Sequence, residues 1–159
     1  MARKWLVCAT LVALLGKALP AQAVDYFWQN SSGGSFLEPS NWQPFAPPGT
    51  QGPGGANDTV NFDLGVAPSS RYLLTDLSGQ NDQLIIHNDS VELSVFPSYT
   101  LRSPGGVNPS LVVGAASGDT ADVVFSGAEI SMLETKVTRI GNVAGSTGTV
   151  TAEGLQWNG

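Results

Sequence analysis

Along the middle of this chain apolar and polar positions alternate in short runs: Val60, Phe62 and Leu64, then Val91, Leu93 and Val95, then Tyr99 and Leu101. Runs of period two bounded by Gly, Asn, Asp and Pro predict strands with one face buried and the other wet. Further on the chain repeats itself without a gap at an offset of 27 residues. Gly114, Gly118, Thr120, Val123 and Gly127 fall on Gly141, Gly145, Thr147, Val150 and Gly154, and Val113 falls on Ile140. Glycine at fixed intervals with β-branched residues between them suits strand-turn-strand coils, because the turns need positive φ and each strand stacks on its copy. In this register Val123 and Phe125 share a face with Val150 and Ala152, while Asp122, Val124 and Ser126 map onto Thr149, Thr151 and Glu153 on the other face. Leu84-Ile85-Ile86 stands 27 residues before Leu111-Val112-Val113 and suggests a third, degenerate copy. Ala128–Val137 has loosely helical spacing, but its β-rich flanks and the repeat register argue for a strand. The pattern predicts an all-β repeat architecture in which residues 59–159 form three or four coils stacked at roughly 4.8 Å per coil.

Two preceding segments read differently. In residues 1–23, Arg3 and Lys4 precede an apolar run from Trp5 to Gly16, and Ala21-Gln22-Ala23 offers a small-residue cleavage site. This is the layout of a secretory signal peptide; the run is broken at Lys17 and Pro20 and is too short to anchor. The exported chain would begin at Val24, without Cys8, the only cysteine, and so without disulfides. Residues 24–58 are rich in Gly, Pro, Ser, Asn and aromatics, and Pro44, Pro47, Pro48 and Pro53 argue against a helix or central strand, so an irregular N-terminal cap is expected.

Removing the signal leaves four basic against thirteen acidic side chains, a formal net charge of −9. Such a surface repels phosphate backbones and anionic headgroups, so neither nucleic acid nor membrane insertion of the exported chain is expected. The acids are scattered, which reads as a solvated face; Asn57-Asp58 and Asp119-Asp122 stay open as calcium candidates, although neither has the carboxylate spacing of a calcium loop. His87 is the only histidine, between Ile86 and Asn88 at the end of an apolar run, where a strand-end role is the ordinary one. No nucleophile elbow, phosphate loop or dinucleotide fingerprint occurs, and neither a cofactor nor a metal is expected. Asp122 and Glu153 are candidate carboxylates for a polysaccharide-degrading site, although the register sets them diagonally. Tyr26, Phe27, Trp28, Phe36 and Trp42 concentrate in the cap. Trp28 and Trp42 could stack on sugar rings in a carbohydrate-binding module; the favoured reading is that they close the first coil. Asn30, Asn57 and Asn88 each open an Asn-x-Ser/Thr sequon, no more than a Ser/Thr/Asn-rich chain yields by chance.

The segments Phe27-Trp28-Gln29-Asn30, Gly33-Gly34-Ser35-Phe36, Pro39-Ser40-Asn41-Trp42, Pro47-Pro48-Gly49 and Asn57-Asp58-Thr59-Val60-Asn61-Phe62 resemble the N-terminal region of large exported bacterial β-solenoid proteins with autotransporter-passenger-like repeats, some of which carry a C-terminal sorting signal. Ile140-Gly141, Gly145 to Val150 and Gly154 to Trp157 resemble their glycine-rich coils. The resemblance implies a right-handed parallel β-solenoid, secreted or displayed at the cell surface, with a structural or adhesive role; that no catalytic activity is expected follows from the short inventory of reactive residues. Partners would be an extracellular glycan or a further copy met through the open solenoid end. Members of that family continue through many more coils, so a longer reading frame is expected, with a partner strand on the last coil as the alternative.

Overall fold

The computed structural model describes residues 23–46, 48, 58–102, 109–128, 132–135 and 137–158. Residues 1–22 of the expected signal peptide 1–23, and the candidate cation ligand Asn57, lie outside them. Strands dominate: β1 (Asp25–Trp28), β2 (Gly34–Ser35), β3 (Trp42–Gln43), β4 (Thr59–Phe62), β5 (Tyr72–Asn81), β6 (Gln83–Ile86), β7 (Ser90–Leu101), β8 (Leu111–Val113), β9 (Thr120–Gly127), β10 (Met132–Glu134), β11 (Thr138–Ile140), β12 (Thr147–Glu153) and β13 (Gln156–Asn158). The helical elements among the described residues are two 3-10 turns, Pro39–Asn41 and Pro68–Ser70. Each opens on a proline, whose missing N–H has no intrahelical partner to lose there. The protein is all-β, and the strand expected within Ala128–Val137 is β10.

The strands form two sheets in which nearly all pairing is parallel. One has the order β11-β8-β6-β4-β1-β3, antiparallel only between β1 and β3; the other has the order β12-β9-β7-β10-β13, with β5 beside β7 and β2 beside β5. β9 and β12 pair over seven residues, from Thr120 opposite Thr147 to Ser126 opposite Glu153, at the 27-residue offset of the sequence repeat. Leu111 lies opposite Thr138, and Leu84 opposite Leu111, at the same spacing. Elsewhere the offset changes: Thr59 pairs with Gln83, Ser90 with Asp122, and Ser98 with Met132. Intervening loops of different length absorb the difference, which is why only the last copies are visible as a repeat.

Two long strands bend at the same place. β7 pairs with β9 as far as Val95 and with β10 from Ser98; between them lies Pro97, which has no N–H to give a ladder. Beside it, β5 shifts register between Leu74 and Leu77 and again before Gly79, with positive φ at Asp76 and Gly79. The alternating pattern breaks there, and β5 is not legible as a strand from apolar periodicity.

Within the expected cap, residues 24–58, the described part includes the regular strands β1, β2 and β3. β1 is an interior strand, flanked by β3 and by β4, with Asp25 opposite Thr59 and Trp28 opposite Trp42. The prolines that argued against a strand all follow it, and Asp-Tyr-Phe-Trp itself alternates exposed and buried. Between the sheets lies one core. Val60, Leu84 and Leu111 stack at one level, Phe62, Ile86 and Val113 at the next, and Tyr72, Val91 and Val123 face them from the second sheet, all buried.

Glycines of the repeat occupy positions that only glycine fills. Gly114 has φ +76°, and a Cβ there would lie 2.6 Å from the Thr147 carbonyl oxygen. Its copy Gly141 has φ +62°. Each ends a strand of the first sheet and turns the chain toward the second.

Candidate functional site

Trp28 and Trp42, the candidate sugar-stacking pair, are 1% and 0% exposed. Their rings meet edge-on with centroids 4.9 Å apart, and Tyr26, Phe36 and Phe62 pack edge-on or tilted around them. Tyr72 stacks parallel to Trp28 at 6.4 Å. The indole N–H of Trp42 donates to the Phe36 carbonyl at 2.7 Å, and that of Trp28 to the Asn30 carbonyl at 2.6 Å. A pyranose stacks on a free ring face, and neither indole presents one. The structure thus brings the two tryptophans together as core; the most exposed aromatic rings among the described residues are Phe27, Phe45 and Phe96. Strand alternation accounts for Trp28, since Tyr26 and Trp28 share the inward face of β1 while Asp25 and Phe27 point out.

Buried polar groups reinforce the same end. Asp89, fully buried, accepts from the backbone N–H groups of Leu64 (3.1 Å), Val66 (3.1 Å) and Ser90 (3.1 Å) and from the Tyr72 hydroxyl at 2.5 Å. One carboxylate thereby fastens the 63–66 loop to β5 and β7. Burial, and then the charge and hydrogen bond of Asp89, hold the Tyr72 phenol in its neutral form well above the ordinary range. Tyr99 donates to the side-chain oxygen of Asn81 at 2.7 Å; burial and the nearby Asp58 charge raise it likewise, and Tyr26 shifts the same way for the same two reasons. Burial raises Asp82 as well, against the pull of Arg102, whose guanidinium lies 3.7 Å away.

The outward face of β7, β9 and β12 carries rows of side chains in register, polar except for the buried Val124. Ser90, Asp122 and Thr149 form one row; Glu92, Val124 and Thr151 the next; Ser94, Ser126 and Glu153 the third. Asp122 pairs with Arg71 and accepts from the Ser90 hydroxyl at 3.3 Å, and Ser126 donates to Glu92 at 2.8 Å. The candidate catalytic pair does not form. Asp122 stands opposite Thr149, and Glu153 is four residues along β12, roughly 13 Å down the strand. That exceeds the separation at which two carboxylates flank one glycosidic bond. The cation candidates are engaged elsewhere too: Asp58 accepts from the Val24 N–H at 3.3 Å, and Asp119 from the Ala116 N–H at 2.7 Å. His87 lies 3.6 Å from Asp119, at the strand end where its sequence position put it. Among the described residues no three His, Cys, Asp or Glu side chains gather as a metal site would need.

Beyond the polar rows, both sheets end in edge strands. β11, β12 and β13 each have a strand on one side only among the described strands. Their residues are less covered than their partners on the neighbouring strands: Ile140 is 50% exposed where Val113 is buried, Ala152 is exposed where Phe125 is buried, and Val150 and Trp157 are half-buried. Val137 and Val143 are exposed beside Ile140. Trp157 packs its ring 6.2 Å from Phe125 and donates to the Thr135 hydroxyl at 3.1 Å, so it is set as a core group with an open side. No described helix is long and apolar enough to cross a membrane. No family model matches the chain, and neither a curated protein nor a solved structure does.

Proposed function

We propose that this chain is an exported structural or adhesive module built as a short right-handed parallel β-solenoid, without catalytic activity, whose aromatic first strands seat the coils above them. The observation that carries this reading is the unbroken parallel register of β9 and β12, seven residues at one 27-residue offset, with polar rows outward and apolar rows inward. Stacked coils of this kind hold outward side chains at the fixed spacing of a β-ladder, near 4.8 Å, and so present a regular array to a surface or a polymer. Export follows from the signal-like residues 1–23, and the autotransporter-passenger resemblance supports display at the cell surface or release.

Of the adhesive and sugar-stacking alternatives, burial of Trp28 and Trp42 favours the first, because recognition then falls to the polar rows. The test pairs the exported chain with a variant carrying Glu92→Lys and Glu153→Lys, both on the outward face. Retention of the wild type on bacterial cells or a glycan panel, lost in a variant with an unchanged circular dichroism spectrum, supports adhesion through that face. Retention unaffected by the substitutions, or turnover of any glycan by the wild type, overturns it. N-terminal sequencing of the exported product that starts anywhere but near Val24 removes the export reading.

A further inference from the structure

We propose that the outward face of the second sheet binds a cationic aminosugar polymer, with a sugar ring seated on Phe96 and ammonium groups paired with Glu92 and Glu153. This ligand class deepens the adhesive reading above and rests on it.

Strand alternation and register set these three side chains on one face. Val91, Leu93 and Val95 fill the core, so Glu92, Ser94 and Phe96 project from the other side of β7. Ser94 stands opposite Ser126 and Ser126 opposite Glu153, so Glu153 lies two strands away, level with the midpoint between Glu92 and Phe96. Strands about 4.8 Å apart that rise about 3.3 Å per residue put the three Cα positions roughly 12–13 Å from one another. That is the span of a short oligosaccharide, and the hydroxyls of Ser94 and Ser126 stand within it. Phe96 is 57% exposed on this polar face, and Leu73, opposite Glu92 on β5, is 45% exposed. A phenyl ring so placed has an apolar flank for the C–H face of a pyranose, which the buried Trp28 and Trp42 lack.

Charge selects the class of sugar. Glu92 accepts from the Ser126 hydroxyl at 2.8 Å, a neutral donor that leaves its charge uncompensated, and Glu153 has no hydrogen-bond or ion-pair partner among the described residues. Arg71, the basic side chain that reaches this face, is already paired with Asp122. The face is therefore acidic on a strongly acidic chain; it repels uronic or sulfated glycans and attracts cationic ones. A basic peptide suits it less well. The backbone groups of β7 and β9 are taken up in ladders with β5, β9 and β12, so an added strand finds nothing to pair with on this face. Side-chain acceptors beside an apolar ring are instead what a hydroxyl-bearing amine polymer needs.

Retention of the exported chain on beads of β-linked glucosamine polymer, on the N-acetylated form of that polymer and on polylysine tests this at about pH 5.5, where both the amines and the carboxylates are charged. Expected is retention of the wild type on the glucosamine polymer above the other two. It is released by about 1 M salt, where the screening length is about 3 Å, and near pH 9, where the amines are neutral and the carboxylates still charged. Glu92→Gln with Glu153→Gln weakens retention roughly tenfold, and Phe96→Ala roughly fivefold, each with an unchanged circular dichroism spectrum. Asp25→Asn with Asp63→Asn, at exposed acids away from this face, leaves retention as it was. An equal loss in that last variant, or equal retention on polylysine, means attraction by bulk charge alone and overturns the proposal. Tighter retention on the N-acetylated polymer overturns the cationic ligand and leaves adhesion through this face standing; retention on none of the three beads and on no bacterial cells removes both.

Discussion

Replacing Trp42 by alanine separates the two readings of the aromatic cluster. The side chain is fully buried among Tyr26, Trp28, Phe36 and Phe62, and its indole N–H satisfies the Phe36 carbonyl at 2.7 Å. Truncation of a buried tryptophan costs about 3–5 kcal/mol through lost transfer energy and the cavity left behind. Leaving the Phe36 carbonyl without its donor adds about 1 kcal/mol or more. A total near 5 kcal/mol is a large share of what holds a domain of this size together. Urea unfolding followed by far-ultraviolet circular dichroism measures it directly. Trp42→Phe keeps most of the ring and loses the hydrogen bond, so about 1–2 kcal/mol is expected. Phe45→Ala, at a ring 79% exposed, stays within about 0.5 kcal/mol of wild type. A Trp42→Ala protein with a wild-type midpoint and selectively lost glycan binding would refute the core assignment and restore the sugar-stacking one.

Three further outcomes follow from particular contacts. Asp89→Ala leaves three backbone N–H groups and the Tyr72 hydroxyl without their acceptor and costs roughly 3 kcal/mol or more, with amide exchange at Leu64 and Val66 rising before that of the sheets. Gly114→Ala costs roughly 2–3 kcal/mol from positive φ together with the close Thr147 carbonyl, whereas Gly118→Ala, with φ +89° and open space around it, costs roughly 1–2 kcal/mol; equal midpoints would deny the close approach. The phenols of Tyr26, Tyr72 and Tyr99, the three tyrosines of the chain, are all raised in the folded state. The folded protein therefore keeps protons that the unfolded chain gives up above about pH 10, and the stability these groups contribute is intact below that pH and lost as pH rises beyond it. Absorbance at the tyrosinate band should appear together with unfolding, and a separate, earlier titration of any tyrosine would contradict its burial.

Local chemistry made part of this structure legible. The alternation at Val60 and Phe62 and from Val91 to Leu101 marked β4 and β7, because a sheet with one wet face must alternate. Glycines in the last copies fixed the pairing of β9 with β12 residue by residue, since their turns leave only one offset. The same pattern hid β5, where Asp76 and Gly79 bend the strand and break its period, and it led the proline count to outweigh the short alternating run that became β1.

Residue types and short-range periodicity set the chain's charge, its single cysteine and the all-β class by themselves. Tertiary structure decided which aromatics face inward and which carboxylates meet. Trp28 and Trp42 have the same composition whether they cap a core or hold a sugar, and only the pairing of β1 with β3 and β4 closes their faces. Asp122 and Glu153 stand on adjacent strands, yet the register parts them by four residues.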